Sequence, residues 1–145
     1  MIRIAFGQIQ VHPGEPATNF QSMMHAIDYA KAVSTDILIF PELCLSGYMI
    51  GDLWDQVPFV KDCLYYGEEL VKATANTNLT IIFGNVGIDE SLCNLDGSLR
   101  KYNALYVASN GKLVSNASQP YPFTIKTLLP CYRYFNEPRH FTSAN

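Results

Sequence analysis

Glu42 closes an apolar run, Ile37-Leu-Ile-Phe-Pro, and is followed at once by the glycine-containing stretch Leu-Cys-Leu-Ser-Gly-Tyr48. A carboxylate at the mouth of a strand is where α/β enzymes keep chemistry, although the same residue could simply cap or pair within a loop. A second candidate lies in Phe123-Thr-Ile-Lys-Thr-Leu-Leu-Pro130, where Lys126 interrupts a strand-like apolar run. Lysine is rarely fully buried, so one set in such a run either snorkels to water or is held against a carboxylate. These two charges, Glu42 and Lys126, are the candidates for chemistry. Both come near the ends of predicted strands, which permits a shared cleft without requiring one.

The flanking sequence supplies elements that could position them. Ile2-Arg-Ile-Ala-Phe-Gly-Gln-Ile alternates apolar and polar residues and predicts a strand with one covered face, broken by His12-Pro-Gly-Glu-Pro. With Thr18 or Asn19 as N-cap, Phe20, Met23, Met24, Ile27, Ala30 and Val33 mark one stripe of a helix ending near Ser34. Asp36-Ile-Leu-Ile-Phe then reads as a parallel strand covered on both faces, completing a β-α-β unit. Gly51-Asp-Leu-Trp-Asp reads as loop or short helix, and Phe59, Cys63, Leu64, Leu70, Val71 and Ala73 mark a second helix with a bend expected near Gly67. Leu79-Thr-Ile-Ile-Phe-Gly is a further short strand. Tyr102-Asn-Ala-Leu-Tyr-Val-Ala alternates, and Asn110-Gly111 before Lys112-Leu-Val predicts a type I′ hairpin. The fold class is α/β with an antiparallel extension, in one domain or part of one.

Composition narrows the function. The 145 residues carry a net charge of −3, and the ten Lys and Arg are scattered, leaving no basic stripe for nucleic acid. No apolar run approaches bilayer length, and Arg3 and Gln8 interrupt any secretory h-region, so no membrane contact and a cytoplasmic location are expected. Cys44, Cys63, Cys93 and Cys131 are widely spaced and unmatched by His12, His25 or His140, so no metal site is expected and the thiols read as structural. Asn78-Leu-Thr80 and Asn116-Ala-Ser118 match the glycosylation sequon, which means nothing without secretion.

Four landmarks in order, Phe40-Pro-Glu-Leu-Cys-Leu-Ser-Gly-Tyr48, Tyr102-Asn-Ala-Leu-Tyr with Asn110-Gly-Lys112, Ile125-Lys-Thr-Leu-Leu-Pro130 and Phe135-Asn-Glu-Pro-Arg-His-Phe141, resemble the nitrilase, or carbon-nitrogen hydrolase, superfamily. Gly47-Tyr followed by Asp52-Leu, with the ending Glu137-Pro-Arg-His-Phe141, is most similar to the N-terminal glutaminase domains of glutamine-dependent NAD synthetases. The resemblance implies a partial α-β-β-α sandwich, homo-oligomers and glutamine as substrate. It casts Glu42 as general base, Lys126 as stabiliser of the tetrahedral intermediate and Glu137 as the carboxylate that positions the lysine or substrate. A solvated loop carboxylate is the plainer reading of Glu137. Tyr48 and Tyr132 are candidates for the amide pocket or for core packing.

The resemblance also requires a cysteine nucleophile a few tens of residues beyond the lysine, and neither Cys44 nor Cys131 stands at that position. The expectation is therefore a domain truncated before its nucleophile and inactive alone. It needs no cofactor itself, while ATP and Mg are implied for a missing downstream synthetase domain that amidates nicotinic acid adenine dinucleotide. A fragment of a stand-alone amidase or nitrilase, and a non-catalytic α/β interaction module, are the alternatives.

Overall fold

The computed structural model describes residues 1–115 and 120–144; the triplet Asn116-Ala-Ser118 lies outside them. The elements run β1 (Ile4–Phe6), α1 (Pro16–Ala32), β2 (Ile37–Ile39), a 3-10 turn (Gly51–Asp55), α2 (Val57–Lys72), β3 (Thr80–Cys93), β4 (Leu99–Ser109), β5 (Lys112–Leu113), β6 (Thr124–Ile125), β7 (Cys131–Tyr132), β8 (Phe135–Asn136) and a second 3-10 turn (Glu137–Arg139).

Strands β1, β2 and β3 are parallel neighbours, and β4 adds antiparallel to β3. The outer edge of β4 is shared by β5 and β6. The expected β-α-β unit is present and is followed by a second one through α2. The Asn110-Gly111 turn has φ of 50° and 74°, both positive as a type I′ turn demands.

Side chains alternate across a sheet, so register sorts the two faces. Leu38, Ile81, Phe83, Tyr106 and Ala108 share a face and pack with Met23, Ile27 and Ala30 of α1 and Leu70 of α2 in the main core. The opposite face is open over β1 and at Leu105, where Ile4 is 55%, Phe6 73% and Leu105 43% exposed, while Val86, Lys101 and Asn103 on that face are buried. The alternation near the N-terminus therefore has the reverse sense from that expected, because Ala5 turns toward the core while its larger neighbours face outward. β2 is likewise fully covered on one side only, Leu38 being buried and Ile37 and Ile39 intermediate.

Helix α1 starts earlier than its expected cap. Pro16, with its fixed φ and no N–H to lose, opens the first turn. Asn19 is buried instead, accepting from the His12 N–H and donating to the His12 and Leu45 carbonyls. Gly67 admits Asn85, since an added Cβ there would lie 2.9 Å from Asn85 Nδ2, whose amide donates to the Cys63 carbonyl of α2. Among the described residues no helix is long and apolar enough to cross a membrane.

A second cluster centres on Trp54, whose ring meets Phe59 and Phe141 edge-on at 5.7 and 4.9 Å and packs with Leu43, Val60, Cys63 and Val86. Leu43 adjoins Glu42 in the chain and Phe141 follows the Glu137 turn. One buried knot therefore anchors both carboxylate-bearing segments.

Candidate active site

Beyond β2 the chain keeps pairing with β3, the Phe40 N–H donating to the Ile82 carbonyl at 2.8 Å and the Gly84 N–H to the Pro41 carbonyl at 3.3 Å. It then presses onto Gly84: an added Cβ there would stand 2.3 Å from the Leu43 nitrogen and 2.8 Å from Glu42 Cα. Leu43 itself has φ of 45°, a left-handed conformation unfavourable for a branched side chain, and its complete burial holds it there. This backbone turn sets the direction of Glu42.

Lys126 follows β6 and is fixed by its own N–H, which donates to the Asn103 carbonyl on β4 at 2.9 Å. Of the strand-like run expected from Phe123 to Pro130, only Thr124 and Ile125 are in the sheet. Glu137 opens the second 3-10 turn, its N–H bonded to the Pro130 carbonyl and its own carbonyl accepting from His140 and Phe141.

These elements bring Glu42, Lys126 and Glu137 together. Lys126 Nζ lies 2.7 Å from Glu42 Oε1 and 2.8 Å from Glu137 Oε1. Tyr48 donates its hydroxyl to Glu137 Oε1, and Asn103 Nδ2 donates to Glu42 Oε1 at 2.6 Å and to Glu137 Oε2 at 3.5 Å. The Glu137 side chain is 4% exposed, which removes the solvated-loop reading, whereas that of Glu42 is 48% exposed. Glu137 thus has both oxygens occupied. Among the described residues nothing donates to Glu42 Oε2.

Burial pulls the Lys126 ammonium toward a lower pKa, but its hydrogen bonds to Glu137 and Glu42 outweigh that and raise it, so the cation persists. Burial, then the bond to Glu137, pushes the Tyr48 phenol well above its ordinary range and keeps it a donor. Two carboxylates and one ammonium leave the group one negative charge in excess.

A hollow of about 300 Å³ opens beside it, lined by Glu42, Tyr48, Lys126, Pro130, Tyr132 and Phe135. Tyr48 and Tyr132 both meet the Phe135 ring edge-on, at 5.8 and 5.3 Å, and Tyr132 is 62% exposed at the rim. A second hollow of about 290 Å³ reaches Glu42 and Lys126 from the side of Gly84, Leu105 and Thr124. A larger one of about 900 Å³, around Trp54, Lys101 and His140, contains none of the site residues expected from the sequence.

No thiol joins the group. Cys44 is buried with Sγ 3.6 Å from the Gly84 carbonyl, and burial pushes its pKa up to about 12. Cys63 lies on the buried side of α2, while Cys131 is exposed with Sγ against Asn136 Oδ1 at 3.8 Å. Among the described residues no cluster of three or more His, Cys, Asp or Glu could hold a metal ion. Sequence reasoning missed Asn103 and Phe135. A polar residue set between Tyr102 and Ala104 in an otherwise apolar strand run was the one signal available for the first.

A carbon-nitrogen hydrolase family model matches residues 3–140. A glutamine-dependent NAD(+) synthetase of Thermotoga maritima is 27% identical over 140 residues, 97% of this chain and 22% of that protein. In structure the chain matches a glutamine-dependent NAD(+) synthetase from Cytophaga hutchinsonii with a TM-score of 0.79 and 25% identity, over 98% of this chain and 22% of the other. It also matches an amidase from Nesterenkonia sp. with a TM-score of 0.77 and 18% identity, over 99% and 48% of the two chains, a likeness of fold alone. The fold is a partial nitrilase-type α-β-β-α sandwich, and the chain spans less than a quarter of the length of the curated relatives it matches.

Proposed function

The chain belongs to the carbon-nitrogen hydrolase family, and on that premise we propose that it carries the base and the cation of a glutamine amidohydrolase, the ammonia-producing part of a glutamine-dependent NAD synthetase. The observation that carries the reading is the placement of Lys126 between Glu42 and Glu137, with Glu42 lining the hollow and its Oε2 accepting from no described residue.

In this reading Glu42 takes the proton of a cysteine thiol as its sulfur bonds to the glutamine side-chain carbonyl carbon. The carbonyl oxygen becomes anionic beside the Lys126 ammonium, whose charge exists before the reaction and needs no reorganisation. Collapse breaks the carbon–nitrogen bond, Glu42 returns the proton to the departing ammonia, and the same carboxylate then activates water to cleave the thioester. Glu137, occupied by Lys126, Tyr48 and Asn103, fixes the lysine. Tyr48, Tyr132 and Phe135 form the amide pocket. The thiol comes from polypeptide that follows this segment in the intact enzyme. The ammonia goes to a synthetase domain that uses ATP and Mg to amidate nicotinic acid adenine dinucleotide, a destination supported by the relatedness to NAD synthetases.

The test is Glu42→Gln in the intact enzyme, nearly isosteric and unable to accept the proton. Loss of a general base costs on the order of a hundred- to ten-thousand-fold, whereas a lost loop hydrogen bond of about 1 kcal/mol costs under tenfold. Glutamine-driven amidation is expected to vanish while amidation supplied with free ammonia survives. Retention of glutamine-driven activity within tenfold, or equal loss of both, overturns the assignment. Residues 1–145 alone should release no ammonia from glutamine; turnover above a Lys126→Ala control would show that another group acts as nucleophile.

A further inference from the structure

Asn103 touches every member of the charged group. Its backbone carbonyl receives the Lys126 N–H at 2.9 Å, and its side-chain nitrogen reaches Glu42 Oε1 at 2.6 Å and Glu137 Oε2 at 3.5 Å. The amide orientation is dictated by chemistry, because turning Oδ1 toward two carboxylates would oppose acceptor to acceptor. The residue is 4% exposed on β4, opposite Val86, so the strand ladder fixes its backbone.

We infer that Asn103 is the positioning residue that selects which Glu42 oxygen takes the proton. Oε1 accepts from both Asn103 and Lys126, and these two donors occupy its lone pairs. Oε2 accepts from no described residue, and Glu42 lines both hollows. The thiol proton therefore passes to Oε2 and leaves from it to the departing ammonia, while Oε1 stays pinned throughout both transfers. Without the asparagine, the one hydrogen-bond donor left to the Glu42 carboxylate among the described residues would be a flexible ammonium, and the carboxylate could rotate either oxygen onto Lys126. Catalysis depends on holding the acceptor within hydrogen-bond reach of the proton, so this freedom should appear as a loss of turnover.

The inference rests on the reading of Glu42 as base, and the experiment separates the two. In the intact enzyme, Asn103→Leu keeps the branching at Cγ, in a somewhat larger side chain, and removes both donors, and Asn103→Asp keeps the shape while setting a third carboxylate beside the pair. Glutamine turnover is measured across pH, with kcat normalised to the thiol that a glutamine-like alkylating reagent titrates, so that unfolded molecules do not count. Asn103→Leu is expected to lower kcat about 10- to 100-fold, the range for a lost hydrogen bond to a charged group, with KM within about threefold. Asn103→Asp is expected to move the acidic limb of the kcat profile to higher pH, because a third carboxylate makes the cluster as a whole hold protons more tightly; a merely structural role would leave that limb in place. If Glu42→Gln is inactive yet both Asn103 variants keep kcat within threefold and an unmoved profile, or lose only in KM, Asn103 does not position the base. Activity retained by Glu42→Gln would instead overturn the underlying reading.

Discussion

Gly84→Ala adds one methyl group to the floor of the site, and its sign is diagnostic. At an ordinary strand position the change stabilises by about 0.4–1 kcal/mol, because alanine has fewer unfolded conformations to lose. Here the new Cβ would stand 2.3 Å from the Leu43 nitrogen and 2.8 Å from both Glu42 Cα and its carbonyl carbon. All three are backbone atoms, which cannot rotate away as a side-chain tip can. Relief to van der Waals contact requires the Glu42–Leu43 segment to lift by roughly 1 Å, against the pairing of Phe40 with Ile82 and the burial of Leu43 beside Trp54. Overpacking of this kind costs about 1–3 kcal/mol, and a carboxylate misplaced by about 1 Å costs on the order of a hundredfold in rate. Urea unfolding of the chain should show a lower midpoint with an unchanged slope, and the intact enzyme should lose glutamine turnover. An unchanged or raised midpoint would refute the argument that the base is seated on this glycine.

Three further outcomes are expected. In the native chain a thiol reagent should label exposed Cys93 and Cys131 quickly, while Cys44 and Cys63, each pushed up to about 12 by burial, react only as the chain opens; rapid labelling of all four would contradict the described packing. The open sheet face bearing Ile4, Phe6 and Leu105 should make residues 1–145 self-associate or bind hydrophobic dye, and sedimentation as a dye-silent monomer at micromolar concentration would count against it. Burial is the main cause that lowers the His140 pKa, so below the ordinary value of 6.5 the unfolded chain binds a proton that the folded chain refuses. Stability should therefore fall as pH drops from 6.5 toward the folded value, and His140→Gln should flatten that part of the profile in equilibrium unfolding.

Periodicity located both helices and the three strands β2, β3 and β4 because each buries a stripe, and burial is what hydrophobic spacing records. It located ends less well. β3 runs on to Cys93, well past Gly84, because pairing with β4 continues beyond the covered region, and half-buried Asp89 with exposed Glu90 and Ser91 carries no apolar signal. Glu42 and Lys126 stood out as charges set in apolar runs, and their meeting follows from β6 adding to β4. That pairing spans only two residues, too short for propensity to announce. Glu137 looked like a loop carboxylate since its partners are Tyr48 and Asn103, 89 and 34 residues away, and Lys126, brought in from another strand 11 residues back. Asn103 escaped notice for the same reason. A strand residue shows its function only when the partner across the sheet is known.

The contacts that make the site are among the longest-range in the molecule: Glu42 and Lys126 are 84 residues apart and Tyr48 and Glu137 are 89. The β3–β4 ladder, by contrast, closes through a nearby turn. Loop closure over such separations is entropically costly and comes late, after local pairing has formed a surface to close upon. A chain emerging from the ribosome at about 5–20 residues per second therefore carries an unpaired Glu42 for several seconds before Lys126 and Glu137 have been made. The charged group is a seal set last, and its presence certifies that the segments from β1 to the final turn have found their places.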